Sequence, residues 1–169
     1  NTTGSNNTAV GYQAGYNSLI GRTTAVGYQA AFSNATEYIV AVGHGALRNS
    51  TGGANVALGY SAGYNTTTGG SNVALGHDSF NANTTGSNNV AIGHDTLRYN
   101  TTASDNTAVG RNAMGSNTTG TKNEAFGNNA LYTNTTGGNN VASGRQALYS
   151  NTTGSYNIAV GGNSLYSNT

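Results

Sequence analysis

Short apolar triplets recur along this chain at even intervals, each set among polar residues and closed by a glycine. Asn55-Val56-Ala57-Leu58-Gly59, Asn72-Val73-Ala74-Leu75-Gly76 and Asn89-Val90-Ala91-Ile92-Gly93 are typical. The closing glycines are Gly11, Gly27, Gly43, Gly59, Gly76, Gly93, Gly110, Gly127, Gly144 and Gly161, spaced by 16 residues three times and by 17 six times. Alanine stands two places before each of them. Val, Leu or Ile usually stands immediately before, with Phe126 and Ser143 as variants. Large-small-large alternation rich in β-branched residues predicts a short strand with one packed face. Three places after the glycine comes a small residue, such as Ala14, Ala46, Ala113 or Ser164, and then often Leu, as at Leu47, Leu97, Leu131, Leu148 and Leu165. That second segment is too short for a stable helix, so it reads as a second strand. Asn-Thr-Thr-Gly between the segments has the composition of an exposed turn.

A period of this size means one small unit stacked on itself. The chain is expected to be a single repeat array over 1–169, with ten repeats starting at residues 1, 17, 34, 49, 65, 83, 100, 117, 134 and 151. Its fold class is all-β: a parallel β-solenoid of about ten coils. Coils advancing by about 4.8 Å each would make a rod on the order of 50 Å long. The second and third repeats are irregular, with Asn17-Ser18-Leu19-Ile20-Gly21 and Glu37-Tyr38-Ile39-Val40 in place of the usual turn.

Composition narrows the function. With 27 Asn, 25 Thr and 26 Gly among 169 residues, the chain has the polar bias of a disordered segment. The fixed apolar columns and the absence of proline argue for order instead. A net charge of +1 with no basic stripe speaks against a nucleic-acid partner. No apolar run approaches the roughly 20 residues of a membrane span. The absence of cysteine excludes disulfides and thiolate metal sites. The chain starts in phase with its repeat and ends on Asn168-Thr169, the start of a further copy, as a window cut from a longer fibre would.

The Asn-Val-Ala-Ile-Gly cores, such as Asn89 to Gly93, resemble the head repeats of trimeric autotransporter adhesins. Similar repeats occur in phage tail fibres and other long surface fibres. The resemblance covers essentially the whole chain, although the adhesin repeat is shorter. It implies a left-handed β-roll, three chains side by side around one axis, and a role in attachment at a cell or virion surface. Physical reasoning adds that each coil offers few apolar side chains against the entropy of ordering its residues. Association as a homotrimer is therefore expected to stabilise the rod, with Val90 and Ile92 in the shared core. A surface glycan or host receptor is the other expected partner, and neither a cofactor nor membrane insertion of this segment is expected.

Several columns suggest chemistry. Asn stands four places before the glycine at Asn7, Asn55, Asn72, Asn89, Asn106, Asn123, Asn140 and Asn157, where stacked amides can form a ladder. The sequon Asn-x-Ser/Thr recurs at Asn1, Asn34, Asn49, Asn65, Asn83, Asn100, Asn117, Asn134 and Asn151, which an exposed turn would offer for glycosylation. His77 and His94 fall one repeat apart and are weak metal candidates. Asp78 and Asp95 do likewise and raise the alternative of a fibre that cleaves polysaccharide with paired carboxylates. Both columns read more simply as copied surface residues, so the chain is not expected to be an enzyme. Paired Thr such as Thr84-Thr85 raise ice binding, yet adjacent strand residues face opposite ways.

Overall fold

The computed structural model describes residues 4–17 and 21–168. They form a β-solenoid. One strand comes from each repeat: β1 (Thr8–Val10), β2 (Thr23–Val26), β3 (Ile39–Val42), β4 (Val56–Leu58), β5 (Val73–Leu75), β6 (Val90–Ile92), β7 (Thr107–Val109), β8 (Glu124–Phe126), β9 (Val141–Ser143) and β10 (Ile158–Val160). The strands lie in sequence order in one ten-stranded parallel sheet. Register is one repeat per strand: Val73 pairs with Val90, Ala74 with Ala91 and Leu75 with Ile92. Equivalent residues therefore stack in columns along the axis.

The packed face of the strand is its alanine face. Alanine, the small residue of the triplet, points inward, and Ala25, Ala41, Ala57, Ala91, Ala108, Ala125 and Ala142 are fully buried. The large flanking residues point outward: Leu58 is 51% exposed and Phe126 40%. The close approach of successive coils accounts for this. A coil of 16 or 17 residues encloses too little space for three large side chains, so the inner column is reduced to a methyl group. The closing glycines reflect the same crowding. Gly93 has φ 135°, and a Cβ placed on it would stand 2.7 Å from the carbonyl oxygen of Gly110.

The second segment is not a strand. Alternate residues there adopt the left-handed region: Asp95 at φ 56° and Leu97 at φ 48°, Asn112 at 57° and Met114 at 51°, Asn129 at 55° and Leu131 at 52°. The ladder between coils survives this. The Asp95 amide donates to His77 O of the preceding coil (3.1 Å), and the Leu97 amide donates to Ala113 O of the following one (3.1 Å). The Tyr99 amide donates to Gly115 O (3.2 Å). Backbone groups are thus satisfied by neighbouring coils without strand dihedrals. A left-handed residue other than glycine costs about 1–2 kcal/mol, and burying a Leu or Phe side chain returns about 1.5–3 kcal/mol. Burial wins, because Leu47, Phe80, Leu97, Met114, Leu131 and Leu148 occupy these positions fully inside the coil. The alternation was hidden from the sequence because large aliphatic residues ordinarily avoid positive φ.

Candidate functional site

Two asparagine ladders fill the interior beside the apolar core. The first is the column before the strand: Asn55, Asn72, Asn89, Asn106, Asn123, Asn140 and Asn157. Asn89 Nδ2 donates to Asn72 Oδ1 (3.1 Å) and to Ala103 O of the next coil (2.9 Å), while the Asn89 backbone amide donates to the same Asn72 Oδ1 (2.9 Å). Each buried amide spends both its donor and its acceptor on neighbouring coils. The column is interrupted at Thr23 and Ile39, both buried. Thr23 Oγ1 still accepts from Asn34 Nδ2 (2.8 Å).

The second ladder corrects the reading of the sequons. Asn34, Asn83, Asn100, Asn117, Asn134 and Asn151 have no exposed surface at all. Asn100 Nδ2 donates to Asn83 Oδ1 (3.1 Å) and to Ala103 O (3.1 Å). Asn117, Asn134, Asn151 and Asn168 repeat the step with donor distances of 3.0, 2.8, 3.0 and 3.1 Å. The nitrogen that would carry a glycan is therefore buried and already bonded. Asn-Thr-Thr-Gly does turn, but its asparagine is the inward anchor of the turn. Both ladders meet on one carbonyl per coil: Asn72 and Asn83 both donate to Gly86 O, at 2.9 and 3.1 Å. Asn49 and Asn65 fall one place earlier, half-buried, with Asn49 Nδ2 donating to Asn65 Oδ1 (3.2 Å). Ser50 and Thr66 take the inner position in those coils. Asn1 lies outside the described residues.

In the turn itself the first threonine is half-buried and the second exposed, as at Thr84 and Thr85. Thr84 Oγ1 donates to Thr101 O (3.0 Å), and Thr101 and Thr118 do the same one coil on. One of the two hydroxyl rows is thus committed to holding coils together.

The surface carries two columns of stacked planar groups. Immediately after the glycine, Tyr12, Tyr28, His44, Tyr60, His77 and His94 form a continuous pile with centroid spacings of 4.8–5.4 Å. His77 and His94 stand in it 4.9 Å apart and 6° from parallel. His94 Nδ1 lies 2.8 Å from Asp95 Oδ2, and His77 Nδ1 lies 3.4 Å from Asp78 Oδ2. Arg98 bridges the two acids, 2.9 Å from Asp95 and 3.6 Å from Asp78. Asp78 and Asp95 are therefore engaged in a small charge network one coil apart. Among the described residues, no group of three or more His, Cys, Asp or Glu is placed to hold a metal ion.

The second column lies five places after the glycine. It reads Tyr16, Phe32, Arg48, Tyr64, Asn81, Arg98, Gly115, Tyr132, Tyr149 and Tyr166. Tyr149 and Tyr166 stack at 4.9 Å and 1°. The Arg48 guanidinium sits between two rings, 5.1 Å from Phe32 and 5.6 Å from Tyr64. Phe32 and the arginines share the column of the tyrosines, a pattern already present in the sequence. Counting from the glycine would have found it.

Comparison with protein families, with curated proteins and with solved structures finds no match to this chain. Among the described residues no helix is long and apolar enough to cross a membrane.

Proposed function

We propose that this chain is a structural and adhesive segment of an extracellular fibre, at a cell or virion surface, whose rods associate side by side as a homotrimer. The observation that carries this reading is the outer face of the sheet. Its two columns run Val40, Val56, Val73, Val90 and Val42, Leu58, Leu75, Ile92 through the middle of the rod. They are half-buried to exposed in the single chain. An apolar strip of this length is unusual on a lone rod, and a second and third copy supply a matching surface at the same 16- to 17-residue rhythm.

Magnitude sets how strong the association is. Ten strands at about 4.8 Å and a width of about 10 Å give a face on the order of 500 Å². A standard interface takes about 800 Å² from each partner. This segment therefore associates weakly, and a longer array of the same repeat associates strongly. Val90 and Ile92 point away from the core, so Val90→Asp or Ile92→Asp should dissociate the rods without unfolding them. Glu124 places a carboxylate on the strip at β8, and three copies around an axis would set like charges together. Glu124→Val should shift association to at least tenfold lower concentration. Analytical ultracentrifugation over a wide concentration range, with circular dichroism in parallel, tests this. A monomer at all concentrations in both the parent chain and the Glu124→Val variant would exclude the trimer.

A further inference from the structure

In the second surface column every coil but one supplies a planar group, whether ring, guanidinium or carboxamide, and the exception is Gly115. Coil spacing leaves about 10 Å between the groups before and after it, Arg98 and Tyr132. That is two stacking steps with no side chain from the intervening coil to fill the middle. A cavity of about 80 Å³ lies there, lined by Asp95, Arg98, Tyr99, Asn112, Gly115 and Tyr132. Tyr132 leans into the gap: its Cε2 lies 2.9 Å from where a Cβ on Gly115 would stand. Its plane is turned 24° from Tyr149, whereas Tyr149 and Tyr166 are parallel within 1°.

We propose that the gap at Gly115 is a binding site for one uncharged aromatic ring of phenol type. The ring enters edge-on and stacks between the Arg98 guanidinium and Tyr132, whose leaning side chain swings back toward Tyr149 to admit it. Two observations fix the chemistry. Rings and guanidinium already alternate in this column, as Phe32, Arg48 and Tyr64 do at 5.1 and 5.6 Å, so both walls are known stacking partners. The Arg98 charge is already met by Asp95 at 2.9 Å and Asp78 at 3.6 Å. An acidic ligand would face those two carboxylates, and a neutral ring would not. The source of the ring is either a free phenol or a tyrosine side chain of another chain.

The test is proton NMR of the 169-residue chain titrated with p-cresol and, separately, with the tripeptide Gly-Tyr-Gly. The expected result is a saturable upfield shift of the probe's ring protons with matching shifts at Gly115 and Tyr132. Gly115 lies outside the positive-φ region, so Gly115→Tyr can fill the gap from within. That variant should lose at least tenfold in probe affinity while its melting temperature rises. Tyr132→Leu, which removes one wall, should weaken binding at least threefold. Binding of p-cresol with exclusion of the tripeptide assigns the site to a free phenol. Binding of both assigns it to ring chemistry that a tyrosine side chain can also supply. Shifts from neither probe, or shifts that persist unchanged in both Gly115→Tyr and Tyr132→Leu, would overturn the proposal.

Discussion

From Asn55 to Asn157 every coil carries an asparagine ahead of its strand, and its buried amide is bonded to the coils beside it. In the two coils before Asn55 that place belongs to Thr23 and Ile39. The surface column directly after the glycine shows the reverse. Tyr12, Tyr28, His44, Tyr60, His77 and His94 stack without a break through the first six coils, and the same column continues as Arg111, Asn128, Arg145 and Gly162. Axial cohesion therefore comes from two kinds of column, polar and inner or aromatic and outer. Neither is needed in every coil, because the backbone ladder runs through all of them. What a repeat cannot vary is the geometry that lets coils approach.

The glycine column is the sharpest case, since both halves share it. Gly27 and Gly93 have φ of 129° and 135°, and a Cβ on either would stand 2.5 or 2.7 Å from the next coil's glycine oxygen. Strain at such a φ and a clash with backbone add up, so Gly27→Ala and Gly93→Ala should each cost about 4 kcal/mol or more. Gly161 meets nothing within 4 Å, so Gly161→Ala should cost only the conformational part, about 1–3 kcal/mol. Hydrogen exchange resolved by coil would measure all three. Similar costs at Gly93 and Gly161 would show that inter-coil crowding is not the constraint.

The asparagine ladder should separate the halves. Asn106 Oδ1 accepts the backbone amide of Asn123 (2.9 Å), and Asn106 Nδ2 donates to Gly120 O (2.9 Å). Asn106→Leu orphans a buried amide and loses a second bond, at about 2–4 kcal/mol. Ile39→Asn works in the opposite sense, placing an amide next to Asn55 where the ladder stops. It gives up apolar burial but gains partners, so it should cost about 1 kcal/mol or less. Amide exchange at Asn123 in the first variant and at Asn55 in the second is the readout. Equal destabilisation by both would mean that the ladder is incidental.

The period and the strand triplets gave the solenoid away, because column identity depends only on counting from the glycine. Four things were illegible for physical reasons. Inward Ala and outward Val satisfy the same alternation as the reverse, and only the narrow bore of the coil decides between them. Leu97 and Phe80 at positive φ run against their local preference, and the fold prevails because neighbouring coils supply the hydrogen bonds and the burial. Asn100-Thr101-Thr102 has the composition of an exposed turn and is one, except for the asparagine that anchors it. Its burial is a property of the stack and cannot be read from one repeat. The gap at Gly115 was invisible until its column was known to be planar throughout.

The outer ring column should give the smallest difference between the halves. Tyr60 stacks on His44 and His77, at 4.9 Å each. Aromatic pairs contribute about 0.5–1.5 kcal/mol beyond burial, and these rings are partly in water, which keeps the value low. Tyr60→Ala removes two such contacts and should cost about 1–2 kcal/mol. Asn128 occupies the same column in the other half, exposed and outside any ring stack, so Asn128→Ala should fall within about 0.5 kcal/mol of the parent. Asn128→Tyr sharpens the contrast. Its neighbours Arg111 and Arg145 can each lay a guanidinium on the new ring, as Arg48 does between Phe32 and Tyr64. A gain of about 0.5–1 kcal/mol is expected from such exposed cation–π pairs. Urea unfolding with the local exchange rates of β7 to β9 would register it. A neutral or destabilising Asn128→Tyr would mean that the ring pile in the first six coils reflects what repeats were copied rather than what holds coils together.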